Sequence, residues 1–288
     1  MVQMASPRDE SAQERRRRAA GLVAQAHEAD LVVLPELRAA GYFEFEQYEQ
    51  GAETFDGPTV RAGQEWAREL RSHIHLGSIV ERDANGRLFN TAVLISPDGA
   101  IAQRYRKMHI FGYASGETEL VTPGNSVEVV DTVLGRLATT TCYDLRSPDL
   151  WSRLAEAGAQ TALVPAAWPL ARIEHWRLLT TCRAVEKQVL LIACNAVGEQ
   201  AGGIEMGGHS RVVDPWANVL AEAATAEEVL FCDVDTSIVD AVRAEFPLLA
   251  DRRRSPPTKQ ARPPDRQRTP THHGAPHDHL EPAGNRDR

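Results

Sequence analysis

Three short runs almost free of polar residues constrain this chain most: LVVLP at 31–35, TALVP at 161–165 and VLLIACN at 189–195. A strand with one wet face alternates apolar and polar side chains, whereas a strand covered on both faces reads as a continuous apolar run. Helix-like stretches precede these runs. Arg15 to Glu28 sets Ala19, Leu22, Val23 and Ala26 at spacings of three and four. Pro148 to Ala157 follows Ser147 as a cap, with Pro148 in the first turn. Ile173 to Lys187 reads as a third helix. Doubly covered strands alternating with helices require layers, which makes the fold class α/β.

The remaining elements fall into two similar rounds. In the first, a helix over Thr59 to Ser72 behind Pro58 leads into the strands IHLGSIVE, LFNTAVLIS and AIAQRYRK, parted by the turn pairs Asn85-Gly86 and Asp98-Gly99. In the second, VEVVDT and GRLATTTC open, HSRVVD, VLAEA and EEVLFCDVD complete a sheet, and Thr236 to Glu245 closes as a helix. Two rounds predict two sheets. The stretch GEQAGGIEMGGHS lacks Gly-x-Gly-x-x-Gly between a strand and a helix, so it reads as a flexible loop near the site rather than a phosphate cradle. Cys182, Cys194 and Cys232 fall within these helices and strands and read as core.

Composition narrows the class. With 42% hydrophobic and 25% charged residues the chain is ordinary globular protein. No apolar run approaches the roughly 18 residues of a membrane span, and MVQMASPRDE is no signal peptide, so a cytoplasmic location is expected, with no membrane partner. Four widely spaced cysteines without a C-x-x-C pair give no support to a zinc or redox site. The net charge of −8 hides an asymmetry: residues 251–288 hold nine Lys/Arg against five Asp/Glu, so the body is acidic and nucleic acid is not the expected partner. That last segment also holds seven of the 17 prolines and a single large apolar residue, Leu280. It reads as a disordered tail behind a folded domain at 1–250. The histidines of THHGAPHDH have no scaffold there to hold a metal.

Ligands of layered α/β domains bind beyond the carboxyl ends of strands. Three polar residues stand there: Glu36 after LVVLP, Lys107 after AIAQRYR and Cys142 after RLATTT. Each has a plain alternative, namely a turn cap, a solvated basic face and a small core residue. Strand alternation puts Lys107 on the side of Tyr105 and His109, away from Arg104 and Arg106. Together the three types suit acyl transfer: a thiolate nucleophile, a carboxylate that moves protons, and an ammonium for the oxyanion.

The blocks LVVLPE, YRKMHIFG and TTCYDLRSPDL, in that order, resemble the three signature blocks of the nitrilase superfamily, the carbon–nitrogen hydrolases. PAAWP, CNAVG and GGHSRVVDPWANVLAEA are similar too, so the likeness spans about Val2 to Arg253. The resemblance implies a four-layer αββα sandwich of two mixed sheets covered by helices. It implies Glu36 as general base, Lys107 as oxyanion partner, Cys142 as nucleophile, the Tyr143 backbone N–H as second oxyanion donor and Glu117 as auxiliary carboxylate. CYDLR is closest to the ω-amidase-like branch, which implies hydrolysis of a small linear amide by water through a thioester, releasing ammonia. No cofactor or metal is implied. A nitrile or an N-carbamoyl compound is the alternative substrate, and a silent binding scaffold the alternative class. Arg146 and Arg172 are candidates to hold a substrate carboxylate, or else to bond loop carbonyls. Trp168 is a pocket wall or a core aromatic. His175 and Trp176 open a helix and pack. The family pairs through helices, which implies a homodimer or larger homo-oligomer with helix 173–187 in the interface. Two departures stand out. Only Met1 and Val2 precede Gln3, giving a short first strand or a misassigned start, and Ser147 stands where relatives carry an aromatic.

Overall fold

The computed structural model describes residues 1–112 and 116–253. Of the tail read above as disordered from 251, residues 254–288 lie outside the described residues, whereas Asp251 ends a short helix. Met1–Arg252 form one compact unit.

After β1 (Val2–Gln3) and α1 (Ala12–Val23), the first round gives β2 (Leu31–Val33), α2 (Tyr48–Gly51), α3 (Pro58–Leu70), β3 (His73–Arg82), β4 (Leu88–Ile95) and β5 (Ile101–Arg106). Its sheet has the order β2-β3-β4-β5, with β2 and β3 parallel and the rest antiparallel. The second round starts from α4 (Glu117–Leu120), β6 (Val129–Thr132), β7 (Gly135–Thr139) and α5 (Pro148–Glu156). It continues through β8 (Thr161–Ala166), α6 (Ile173–Lys187) and β9 (Leu190–Asn195). The hairpin β10 (Val197–Gln200) and β11 (Ile204–Gly207) precedes β12 (Arg211–Val213), β13 (Val219–Glu222) and β14 (Glu228–Val229). Two helices, α7 (Ile238–Glu245) and α8 (Leu248–Asp251), close the described chain. The second sheet has the order β13-β12-β9-β8-β7-β6, parallel only where β8 meets β7 and β9.

Three apolar layers hold this together. Ala19 and Val23 of α1 and Trp66 and Ala67 of α3 pack on Ile74, Leu76, Val93 and Ile95 of the first sheet. On the far side, Trp151 of α5 and Trp176 and Ala184 of α6 pack on Ala162, Val164, Leu191 and Ala193. Val33 and Leu94 meet Leu137, Leu163 and Cys194 between the sheets. The result is the four-layer αββα sandwich. Its continuous apolar runs are the strands with a helix on one face and a second sheet on the other.

Four details depart from the sequence reading. α1 begins at Ala12, because Ser11 and Glu14 form a capping box, and it tightens to a 3₁₀ turn at Ala24–Ala26. EEVLFCDVD adds no strand to the large sheet: only Glu228 and Val229 pair, and their partners are Val2 and Gln3 of the two-residue β1. Cys232 is therefore half-buried, as is Cys182, and only Cys194 of the three is core. GEQAGGIEMGGHS is a paired hairpin, with Gly202 and Gly203 at positive φ in its tip rather than a free loop.

Candidate active site

The two sheets bring their strand ends to one edge. Beyond β2, the Glu36 N–H donates to the Ala166 carbonyl at the end of β8, 3.4 Å away, which joins the edge of one sheet to the other. Within the first sheet, Gly77 of β3 lets the segment after β2 come close. A Cβ there would stand 1.8 Å from the Pro35 carbonyl oxygen, and its φ is +73°.

Glu36, Lys107 and Glu117 form a buried cluster at this edge. Lys107 Nζ donates to Glu36 Oε1 at 2.9 Å and to both Glu117 oxygens at 3.2 Å. Asn90 Nδ2 bridges the same two carboxylates, 2.8 Å from Glu36 Oε1 and 3.1 Å from Glu117 Oε1. The Tyr42 hydroxyl donates to Glu117 Oε2 at 2.9 Å and lies 3.5 Å from Lys107 Nζ. Glu36 Oε2 accepts the Ala167 N–H at 3.0 Å. Burial lowers the basicity of Lys107, but the charges of Glu117 and Glu36 outweigh it and hold the ammonium well above its ordinary pKa. Burial raises the Glu36 pKa, with Lys107 opposing and Glu117 adding.

Cys142 enters from β7. Thr141 is extended, and Cys142 then turns to φ +47°, a left-handed conformation that a side chain rarely adopts. The turn presents the sulfur toward Glu36 and the Ala167 N–H, both of which act on it electrostatically. Burial first, and the Glu36 charge second, push the thiol well above its ordinary pKa. At rest the sulfur therefore keeps its proton beside the Glu36 side chain.

The sequence pattern of the carbon–nitrogen hydrolases matches residues 1–244. The chain belongs to that family. It is 34% identical over 259 residues to a 2-oxoglutaramate amidase of Paenarthrobacter nicotinovorans, covering 88% of each chain. It is 33% identical to an omega-amidase of Bos taurus, covering 82% of this chain and 88% of that one. Among solved structures, a CN-hydrolase superfamily protein of Xanthomonas campestris with an arsenic adduct in its active site superposes with a TM-score of 0.81 at 29% identity. That match covers 88% of this chain and 96% of the other. A variant of the amidase from Nesterenkonia sp. AN1, in which acrylamide has added to the active-site cysteine, superposes at 0.73 with 25% identity. It covers 85% of this chain and 96% of its own.

In this carbon–nitrogen hydrolase a narrow cleft opens above Cys142, with about 20 Å³ of free space between Tyr42, Phe43, Phe111, Trp168, Arg146 and Arg172. The Arg146 guanidinium lies 4.7 Å from the Trp168 ring, and its Nη2 is 3.1 Å from His175 Nδ1. Arg172 stands 5.5 Å from the Phe111 ring. Among the described residues neither arginine has a carboxylate partner. Trp168 is a wall: its ring is buried, and its Nε1 donates to the Arg172 carbonyl at 2.8 Å. Tyr143 lines the cleft edge-on to Phe111. His175 is exposed at the start of α6, against the expectation that it packs, while Trp176 is buried. Ser147 does not line the cleft; its hydroxyl caps α5 through the Leu150 N–H.

Four contributors escaped the sequence reading. Asn90 sits inside a strand, where a lone amide is one more polar residue, and Tyr42 lies in a stretch without periodicity. Asn195 holds the Trp168 backbone through its N–H at 2.6 Å and its carbonyl at 3.2 Å, again from a strand end. Only Asp144 had a signal, the Thr-x-x-Asp capping pattern with Thr141. Among the described residues, no three His, Cys, Asp or Glu side chains are placed to hold a metal ion.

Proposed function

We propose that this protein is a cysteine-dependent amidase that hydrolyses the terminal carboxamide of a small acid carrying its own carboxylate. The observation that carries the reading is the cleft itself: Cys142 lines it, and Arg146 and Arg172 line it without a carboxylate partner among the described residues. An anionic group entering there gains a charge-assisted partner. The names of the amidase relatives support the same substrate class.

The chemistry follows from the positions. Glu36 takes the Cys142 proton as sulfur attacks the amide carbon. The oxyanion so formed meets the Lys107 ammonium and the Tyr143 N–H. Glu36 returns the proton to nitrogen, the carbon–nitrogen bond breaks and ammonia leaves. Glu36 then takes a proton from water, which attacks the thioester, and the acid departs as the thiol regains its proton. Glu117 keeps Lys107 charged and in place throughout. The reaction uses water and needs no cofactor.

The chemistry resides in residues 1–250. Four free cysteines support a reducing, cytoplasmic setting. Leu178 at 67% exposure and Val185 at 38% leave apolar surface on α6, which supports pairing of two copies there. The test of function is a panel of one small dicarboxylic-acid monoamide, its uncharged analogue, a nitrile and an N-carbamoyl compound. Ammonia from the monoamide, with kcat/KM roughly 10-fold or more above the uncharged analogue, is expected. Nitrile consumption, or ammonia accompanied by carbon dioxide, would overturn it.

A further inference from the structure

Asp144 lies two residues after Cys142, is fully buried, and does not line the cleft. Its carboxylate accepts from four donors on two separate segments. Oδ1 takes the His109 N–H at 2.9 Å and His109 Nδ1 at 2.8 Å. Oδ2 takes the Tyr105 hydroxyl at 2.7 Å and the Thr141 N–H at 3.0 Å. Its own backbone carbonyl is held by Trp151 Nε1 at 3.1 Å. Tyr105 and His109 flank Lys107 at two residues on either side; Thr141 directly precedes Cys142.

We propose that Asp144 is a positioning residue: it clamps the segment that carries Lys107 to the turn that carries Cys142, and so sets the ammonium and the sulfur at one distance from the same carbonyl. The inference rests on the roles proposed for Lys107 and Cys142. A capping box alone would need only the Thr141 bond. The three further bonds reach residues 105 and 109, which no cap requires. All four donors point at the carboxylate, and two of them are backbone N–H groups that cannot turn into acceptors. An amide at 144 can face only one oxygen toward them. Whichever way it turns, a backbone N–H of Thr141 or His109 loses its acceptor and meets an NH₂ instead. The left-handed turn at Cys142 then has less to hold it.

The consequence belongs to geometry rather than to binding. A displacement of about 1 Å between reacting groups costs on the order of 100-fold in rate. The purified full-length enzyme is therefore compared with Asp144→Asn, Tyr105→Phe, His109→Ala and His109→Asn, alongside Cys142→Ala. Steady-state kcat and KM are measured, together with the rate of iodoacetamide alkylation of Cys142 across pH. Asp144→Asn is expected to lose roughly 100-fold in kcat with KM within about 3-fold, and to shift the alkylation profile. Tyr105→Phe keeps the fold and removes one of the four bonds; it is expected to lose about 5-fold in kcat with KM unchanged. His109→Asn, which keeps a donor, is expected to recover most of what His109→Ala loses. An Asp144→Asn enzyme with wild-type kcat and alkylation profile would overturn the proposal. If that variant does not fold, an unchanged kcat and profile in Tyr105→Phe overturns it instead. Turnover retained in Cys142→Ala would instead sink the reading of Cys142 as nucleophile, which separates the two failures.

Discussion

Lys107 Nζ lies 2.9 Å from Glu36 Oε1, and solvent reaches neither side chain. A bare ammonium or a bare carboxylate in that place would be costly, so each depends on the other. Glu117 adds the second negative charge that keeps the ammonium protonated. Lys107→Met leaves two buried carboxylates facing each other without a cation. It is expected to lower stability by about 3–5 kcal/mol and abolish ammonia release. Adding Glu117→Gln to that variant removes one of the two charges and is expected to recover part of the melting temperature but none of the activity. Thermal melts and an ammonia assay on the two variants check both halves.

The pH profile follows from Glu36. In the proposed role it must be ionised to accept the thiol proton, and burial raises its pKa. The acid limb of kcat/KM is therefore expected above the ordinary carboxylate value of about 4.3. The stability sign is opposite to that of a paired surface acid. Below the unfolded value both states hold the proton and burial of Glu36 costs nothing. As pH rises toward the raised folded value, the unfolded chain ionises first, so Glu36 subtracts stability above that window. A limb at or below about 4.3 would contradict the placement.

Arg172 gives the specificity prediction. Arg172 lines the cleft with its guanidinium over Phe111, and among the described residues it is paired with no acid. Arg172→Met is expected to raise KM for a carboxylate-bearing amide by about 10-fold or more and to leave an uncharged amide unchanged. Equal losses on both substrates would assign Arg172 to the architecture of the cleft.

Arg38 carries a cost. It is 1% exposed, and none of its three guanidinium nitrogens has a hydrogen-bond partner among the described residues; its nearest compensation is the Trp66 ring at 5.2 Å. Burial pulls its pKa down to about 10. Replacing a buried charge that lacks hydrogen-bond partners with a well-packed apolar side chain is often neutral or stabilising. Arg38→Leu is expected to raise the melting temperature by about 3 °C or more while leaving kcat unchanged. A lower melting temperature would mean that the ring contact and the Glu53 charge outweigh desolvation.

The sequence was legible where local pattern and burial agree. Doubly covered strands announce themselves as apolar runs, and the polar residue that ends each run is conspicuous. Glu36 was readable on that ground, Cys142 by its place after the strand RLATTT, and Lys107 through strand alternation. Asn90 was not, because its role exists only once β4 lies between two carboxylates from distant segments. The β10–β11 hairpin was hidden by its glycines, which signal freedom until pairing fixes them. EEVLFCDVD has the composition of a strand, yet forms one only where Val2 and Gln3 supply a partner. Pairing is a property of the neighbour, and composition records only readiness for it.

The central claim is a covalent bond at one atom. Intact-protein and peptide mass spectrometry after rapid acid quench, during turnover of a monoamide, measures it directly. The account predicts one acyl mass increment, located on Cys142, chased away by water and missing in Cys142→Ala. An increment on another residue, or full turnover in Cys142→Ala, would contradict it.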